Sequence, residues 1–325
     1  MTEGTPLATV PVAPAAVTAP VPATAHSPAS AAAPVADEQR PSLLAEYSEI
    51  VGELWQFRHL IYQFARRDIV LRYKQAVMGF LWAVFMPLLI VASGFLVRFA
   101  VAQSSGGSLG GTSVAGIAVK SIAWAFFVGT LGFATTSLTG AIHLVSKVYF
   151  PLEVLPLSAT IGQVFDFAVG ATALLFILPF LGVGVSAALL WVPVLLLLLF
   201  TLTLAVALFA SCGNLFYRDV KYIVQVLLTF GIFFTPVFFE PAMLGAKGAK
   251  LVMLNPLAPI LEGLRLAVVE KHDLLQPLMT HTPKGVEVLA WSPWSLAYSA
   301  VWAVVGLALS ALMFHRLESA FAERA

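Results

Sequence analysis

Apolar and polar positions change pattern twice along this chain. As far as Pro41 there is no apolar periodicity: residues 1–41 are mostly Ala, Pro, Thr and Val, with eight prolines and no Lys or Arg before Arg40. Such a segment has nothing to bury and is predicted to be a disordered tail. It lacks the basic start and continuous apolar core of a secretory signal. From Ser42, Leu43, Tyr47, Ile50, Leu54, Phe57, Ile61 and Phe64 recur at three- and four-residue steps, with Glu46, Glu49, Glu53, Gln56 and Gln63 on the other side. That spacing predicts an amphipathic helix. Its acids come early, and Arg58, Arg66 and Arg67 come late, as the helix dipole favours. After Lys74 the pattern changes again, and the uncharged run Gln75–Val97 is 23 residues. This is enough to span the roughly 30 Å hydrocarbon core of a bilayer. The amphipathic helix therefore reads as lying along the membrane interface, with docking on a partner protein as the other reading.

Five more spans follow the first, which covers about 77–101. The second is near 117–142, after a Gly/Ser-rich outer loop at 103–116. Between Asp166 and Arg218 lie 51 residues without formal charge, too many for one crossing. Pro179 and the turn LGVGVS (181–186) divide them into spans at 159–180 and 187–211. A fifth, 222–239, is interrupted by Gly231 and Pro236, and a sixth covers 293–314. Arg66, Arg67, Arg72, Lys74, Lys147, Arg218, Lys221 and Arg316 then all fall on one side, which the positive-inside rule makes the cytoplasm. Both termini are expected there. Arg98 and Lys120 sit near outer helix ends and are expected to snorkel. The outer segment 240–292 carries Lys247, Lys250, Arg265, Lys271 and Lys284, but long loops translocate largely regardless of charge. Within it, 251–269 is apolar yet broken by Pro256 and Pro259 and charged at Glu262 and Arg265. It reads as two short helices dipping back from the outer face, a backbone tolerated at membrane depth only when buried or lining a wet cavity.

Composition agrees with this reading. Hydrophobic residues make up 59% and charged residues 11% of the chain, against about 25% charged in a soluble domain. The chain is an integral membrane protein. A net charge of +1 with no basic patch interleaved with aromatics gives no footprint for nucleic acid. The single cysteine, Cys212, excludes an intramolecular disulfide or a cysteine metal site. No GxxxxGK[ST], HExxH or GxSxG occurs, so no site for ATP or for hydrolytic chemistry is expected on this chain. His272, Asp273 and His281 lie close together in the outer segment as a possible catalytic group, and exposed loop residues are the plainer explanation. Asp166 is the one acid well inside a span. A substrate path and a structural ion pair remain open as its role. Trp82, Phe85, Phe95 and Phe99 fall near one face of the first span, and Phe230, Phe233, Phe234 and Phe238 near one face of the fifth. Lipid contact or helix packing accounts for such stripes by default.

Three stretches carry a family resemblance. Arg66–Pro87 (RRDIVLRYKQAVMGFLWAVFMP), Val145–Ser158 (VSKVYFPLEVLPLS), and Asn214–Phe239 with Leu254–Val268 (LNPLAPILEGLRLAV) resemble the permease subunits of ABC-2 type polysaccharide exporters. These move O-antigen, capsule or teichoic-acid chains. One departure is Met86, where many of those permeases carry Asn. The resemblance implies a homodimer with one channel between protomers, driven by two copies of an ATP-binding cassette subunit that uses ATP and Mg; this chain itself binds no cofactor or metal. It implies that Lys147, Val148, Tyr149, Phe150, Pro151 and Glu153 couple to that ATPase as an exposed aromatic anchor with a charged rim. It implies that the two aromatic stripes line the channel and stack sugar faces. Arg66, Arg67, Arg72 and Lys74 would receive an undecaprenyl-linked polysaccharide at the cytoplasmic entrance, though the positive-inside rule alone explains them. Asn255, Pro256, Glu262 and Arg265 would belong to the outer gate.

The expected protein is thus an all-α integral membrane permease. Its parts are the tail 1–41, an interface helix and basic junction 42–75, a six-span domain 76–314 with outer re-entrant gate helices in 240–292, and a cytoplasmic tail 315–325. Its expected place is the bacterial inner membrane, multi-pass, in contact with lipid. Two other functions fit the same chain: ABC-2 export of a small molecule, and a membrane-embedded acyl- or glycosyltransferase.

Overall fold

Ser42 begins the first helix as its residue type favours: its hydroxyl accepts from the Ala45 backbone N–H at 3.3 Å, occupying an otherwise unpaired donor. The computed structural model describes residues 42–74, 81–105, 111–141, 150–281 and 287–322; the tail 1–41 lies outside them. In place of one amphipathic helix there are two, α1 (Leu43–Gln56) and α2 (Arg58–Lys74), separated by Phe57. The expected apolar stripe does face inward. Ile50, Ile61 and Phe64 are buried, the last two packing with Phe150, Leu155, Leu208 and Phe314. Glu46 departs from its expected polar face. It is buried, and Arg316 grips both its carboxylate oxygens at 3.0–3.1 Å, which a carboxylate removed from water requires.

The chain continues through α3 (Leu81–Ser105), α4 (Gly111–Gly140) and α5 (Val154–Ile177), which a 3-10 turn prolongs to Leu181. Pro179 and the left-handed Gly182 (φ 80°) end that segment where the sequence marks a turn. Then come α6 (Trp191–Phe216) and α7 (Val220–Phe234). The outer segment holds α8 (Gly245–Met253) and α9 (Leu257–Val268), and α10 (Pro293–Ala322) closes the chain. Among the described residues, four segments are long and apolar enough to cross a membrane: Gly111–Gly140, Val154–Leu181, Ala187–Phe216 and Pro293–Leu317. Two shorter apolar stretches, Leu88–Ala100 and Val220–Phe234, stand where the first and fifth spans are expected. The protein is a multi-pass, predominantly helical membrane protein.

The helix on which the others are assembled is α4. It packs against α3, α5, α6, α7 and α9. Of its apolar window 72% is buried, against 17% in the α5 and α10 segments, so its surroundings are protein where theirs are largely free. Its sequence explains this, because Ala115, Gly116, Ala118, Ser121, Ala123, Gly129 and Ala134 allow neighbouring backbones to come close. Small residues serve this purpose in a bilayer, where lipid competes for apolar contact and association rests on packing and hydrogen bonds.

Lys120 of α4 overturns an expectation. It does not snorkel; its side chain is 2% exposed. The ammonium donates to the Phe239 carbonyl at 2.7 Å and lies 3.5 Å from Glu262 of α9. Arg265 donates to the same carboxylate from Nε and Nη2 at 2.9 and 2.7 Å and to Glu270 from Nη1 at 2.9 Å. Arg98 is likewise drawn inward, to Glu240 at 3.3 Å. Each cation has a carboxylate partner within the protein, which removes the reason to reach for solvent.

Sequence patterning places two short helices in 251–269. The structure has two, shifted toward the N-terminus, with the break at Leu254–Pro256. An antiparallel hairpin, β1 (Leu278–His281) and β2 (Glu287–Trp291), follows and is absent from the sequence reading. Its strands are four and five residues long, too short for alternation to stand out. Trp291 anchors it, buried and donating to the Leu274 carbonyl at 2.9 Å.

Replacing Glu262 with Ala leaves Lys120 without its buried carboxylate and strips Arg265 of one of two. We expect a loss of about 3–5 kcal/mol, the usual cost of stranding a buried charge. Adding Lys120→Met should recover part of it. Thermal unfolding of the two variants in detergent reads both effects.

Candidate functional site: a polar-mouthed aromatic cavity

Between α3, α4, α5 and α7 lies a cavity of about 990 Å³. Along α7 its lining passes from Lys221, Tyr222 and Gln225 to Leu228 and Ile232, so the charged groups gather at the end where α7 begins. Arg72 and Tyr73 of α2 and Gln163 and Asp166 of α5 contribute to that mouth. The walls are aromatic, with Trp82 from α3, Trp124, Phe126 and Phe133 from α4, and Phe167 from α5. An amphiphile fits such a space, its polar part at the mouth and its apolar or ring-bearing part against the aromatics.

Asp166 organises the mouth. Arg72 Nη1 donates to its Oδ2 and the Tyr73 hydroxyl to its Oδ1, tying the end of α2 to the middle of α5. Arg72 has further supports. With its amide oxygen turned to the guanidinium, Gln163 accepts from Nη1 and Nη2 at 2.7 and 3.0 Å. The guanidinium also sits 4.2 Å above the Phe133 ring, within cation–π range. Gly129 makes room for this amide, since a Cβ there would stand 3.1 Å from Gln163 Cδ. Burial first, then the hydrogen bond to Asp166 and its charge, push the Tyr73 hydroxyl up from 10.0 to about 12. It therefore stays a neutral donor at any ordinary pH.

Lys221 faces the mouth from α7. Its ammonium is 4.8 Å from the Tyr222 ring centre, and among the described residues it has no ion pair.

Of the four basic residues expected at the entrance, only Arg72 reaches the cavity. Arg66 and Lys74 are exposed, and Arg67 bonds to Asp68 at 2.8 and 3.0 Å over the Phe64 ring. Of the first aromatic stripe, Trp82 lines the cavity, while Phe85, Phe95 and Phe99 are exposed on α3. Phe230, Phe233 and Phe234 are exposed on α7. Phe238 is a correction. It is buried in the main core, its ring filling the space that Gly94 leaves open, so it presents no face to a conduit.

The coupling segment needs a second correction. Lys147, Val148 and Tyr149 lie outside the described residues. Phe150, Pro151 and Glu153 are buried and do not form an exposed rim. The Phe150 ring packs 5.8 Å from Phe64, and Glu153 lies 3.9 Å from His315 Nδ1. An aromatic at a membrane-proximal turn looks the same in sequence whether it anchors inward or outward.

The expected gate residues hold the outer elements together. Asn255 donates to Thr235 Oγ1 at 3.1 Å and accepts from the Leu257 N–H at 3.1 Å, and the Pro256 carbonyl accepts from Ser299 at 2.7 Å. Glu262 and Arg265 form the buried ion cluster. Two members of the candidate catalytic group have partners of their own. Asp273 accepts from Trp191 Nε1 at 3.0 Å, and His272 Nε2 lies 2.9 Å from the Gln276 carbonyl. Sequence reasoning missed Gln163, Tyr73 and Phe133. A signal was present for Gln163, which precedes Asp166 by three residues and so shares its helix face.

Removing the carboxylate lowers the Tyr73 midpoint. In Asp166→Asn it should fall from about 12 toward 10.0 without reaching it, because burial, the largest cause, remains. The raised value stabilises the fold below pH 10, and this contribution is lost as the pH rises through about 12. Spectrophotometric tyrosine titration, with Tyr73→Phe subtracted, reads the change.

Comparisons with known proteins converge on one family. The chain is 27% identical over 251 residues to the O-antigen export system permease protein RfbA of Myxococcus xanthus, covering 76% of this chain and 94% of that one. It is 23% identical over 203 residues to a protein of the same name from Klebsiella pneumoniae, covering 62% and 77%. The ABC-2 type transporter family model matches residues 59–269, which span α2 through α9 and contain the whole cavity lining. The chain belongs to the ABC-2 type transporter membrane family.

Proposed function

We propose that this chain is the channel-forming subunit of an ATP-driven exporter that moves a lipid-linked, O-antigen-like polysaccharide from the cytoplasm across the bacterial inner membrane. The observation that carries this reading is the 990 Å³ cavity, with its polar mouth and aromatic walls. Aromatic faces stack on the apolar faces of sugars without selecting one sequence, and a charged mouth suits an anionic lipid head. The names of the Myxococcus and Klebsiella relatives support the same cargo class.

In this reading α3 and α7 complete six spans, both termini are cytoplasmic, and α1 and α2 lie along the inner interface. Exposed Leu44, Val51, Trp55 and Tyr62 support that placement, because they put apolar and aromatic groups at helical spacing on the face turned from the core. Two copies assemble with two ATP-binding cassette subunits, which use ATP and Mg. The segment 145–158 couples to them, with Phe150 and Glu153 as its buried root and Lys147 and Tyr149 as its contact. The gate is the outer pair α8 and α9, clamped by Glu262 and Arg265.

Two experiments test this. Purified gently from native membranes, the protein should bring an ATP-binding subunit in equal amount, and Tyr149→Ala should release it. A dimer that carries no ATPase contradicts the reading. Gly132 lines the cavity, and nothing lies within 4 Å of where its Cβ would stand. Gly132→Trp should therefore direct an indole into the path, cutting export at least about tenfold while ATPase binding is retained.

A further inference from the structure

Among the described residues, the charge clusters at Glu262 and at Asp166 differ in one respect. In the outer cluster the Lys120 and Glu262 side chains are 2% and 1% exposed, sealed from any ligand. In the mouth cluster the Arg72 and Asp166 side chains are 21% and 19% exposed, on the wall of the cavity. A purely structural pair does not need a cavity against it.

Three features make Arg72 a prepared site and not only a tether. Its guanidinium is held by Gln163 and by the Phe133 ring independently of Asp166, so it keeps its position if the carboxylate leaves. Lys221 lines the same mouth over a tyrosine ring. The titrating or charged groups lining the cavity from α2, α4, α5 and α7 are Arg72, Tyr73, Asp166, Lys221 and Tyr222. Its two cations exceed its single carboxylate by one.

We propose that Asp166 is an internal stand-in for an anionic headgroup, so that the mouth is an exchange site. A phosphate ester displaces the Asp166 carboxylate from Arg72, is held between Arg72 and Lys221, and leaves its chain against the aromatic wall. Arginine offers a phosphate the same paired N–H groups that it offers a carboxylate. Tyr73 keeps hold of the displaced Asp166, which limits how far it moves. No bond is made or broken. The exchange rests on the cavity being the transport path, and it gives that path a selectivity step: an amphiphile without an anionic head leaves Asp166 in place and the mouth closed.

The test uses the full-length protein in nanodiscs of zwitterionic lipid, without ATP or partner. Binding of a pyrene-labelled hexadecyl phosphate is compared with that of labelled hexadecanol, and inorganic phosphate serves as competitor. We expect the phosphate to bind at least about tenfold more tightly than the alcohol. Asp166→Asn should tighten it about tenfold, by removing the competing carboxylate. Lys221→Gln, at a residue outside the packed core, should weaken it about tenfold. Inorganic phosphate failing to compete at millimolar levels marks the source as a lipid head; full competition marks it as free phosphate bound by the same exchange. Equal binding of phosphate and alcohol, or weaker binding in Asp166→Asn, overturns the proposal. Because no transport is measured, a failure here is distinct from a failure of Gly132→Trp to block export.

Discussion

An ionised side chain removed from water has to bring its counter-ion with it, and two of the places where that happens bound the cavity region of this protein. At one end Asp166 joins α2 to α5 through Arg72 and Tyr73. At the other, Glu262 gathers Lys120 from α4 and Arg265 from its own helix, with the Phe239 carbonyl completing the set. In a bilayer lipid competes for apolar contact, so close packing at small residues and interhelical polar contacts share the work of association. Ion pairs and hydrogen bonds of this kind decide which helix faces which. They tie α5 to α2 and α4 to α9, and α4 and α5 are two of the four walls of the cavity.

The central helix α4 takes part in both places. Its Lys120 belongs to the outer cluster, and thirteen residues further on Phe133 supports Arg72. At 1.5 Å per residue these points are about 20 Å apart along the helix. The cavity wall at Trp124, Phe126 and Phe133 runs along the stretch between them. A single helix therefore connects the two clusters.

Much of this was legible in the sequence because it depends on composition and period. Four of the expected apolar runs are helices long enough to span, the division at Pro179 falls where the α5 segment ends, and the stripe through Ile50, Ile61 and Phe64 faces inward, though from two helices instead of one. What was not legible depends on partners far away in the chain. Glu46 reads as a surface acid until Arg316, 270 residues later, meets it. Lys120 reads as a snorkelling residue until Glu262 meets it. Phe238 and Phe150 read as available rings, and both turn inward because Gly94 and Phe64 leave or share space with them. For the mouth, Asp166 was singled out with an ion pair as one of its two readings. Gln163 was missed although its polarity and its place one turn before Asp166 marked it, and Phe133 was missed because an aromatic ring is ordinary within an apolar span.

The most direct test of the cavity as the transport path is chemical. With Cys212, buried and alone, replaced by Ala, Thr229→Cys puts one thiol on the cavity wall and Leu227→Cys puts one on the exposed side of the same helix. Labelling by a small alkylating reagent is followed in membranes with and without the lipid-linked glycan. The thiol at 229 should be protected by the glycan and the one at 227 should not. Equal labelling of the thiol at 229 in the presence and absence of the glycan would contradict passage through this cavity.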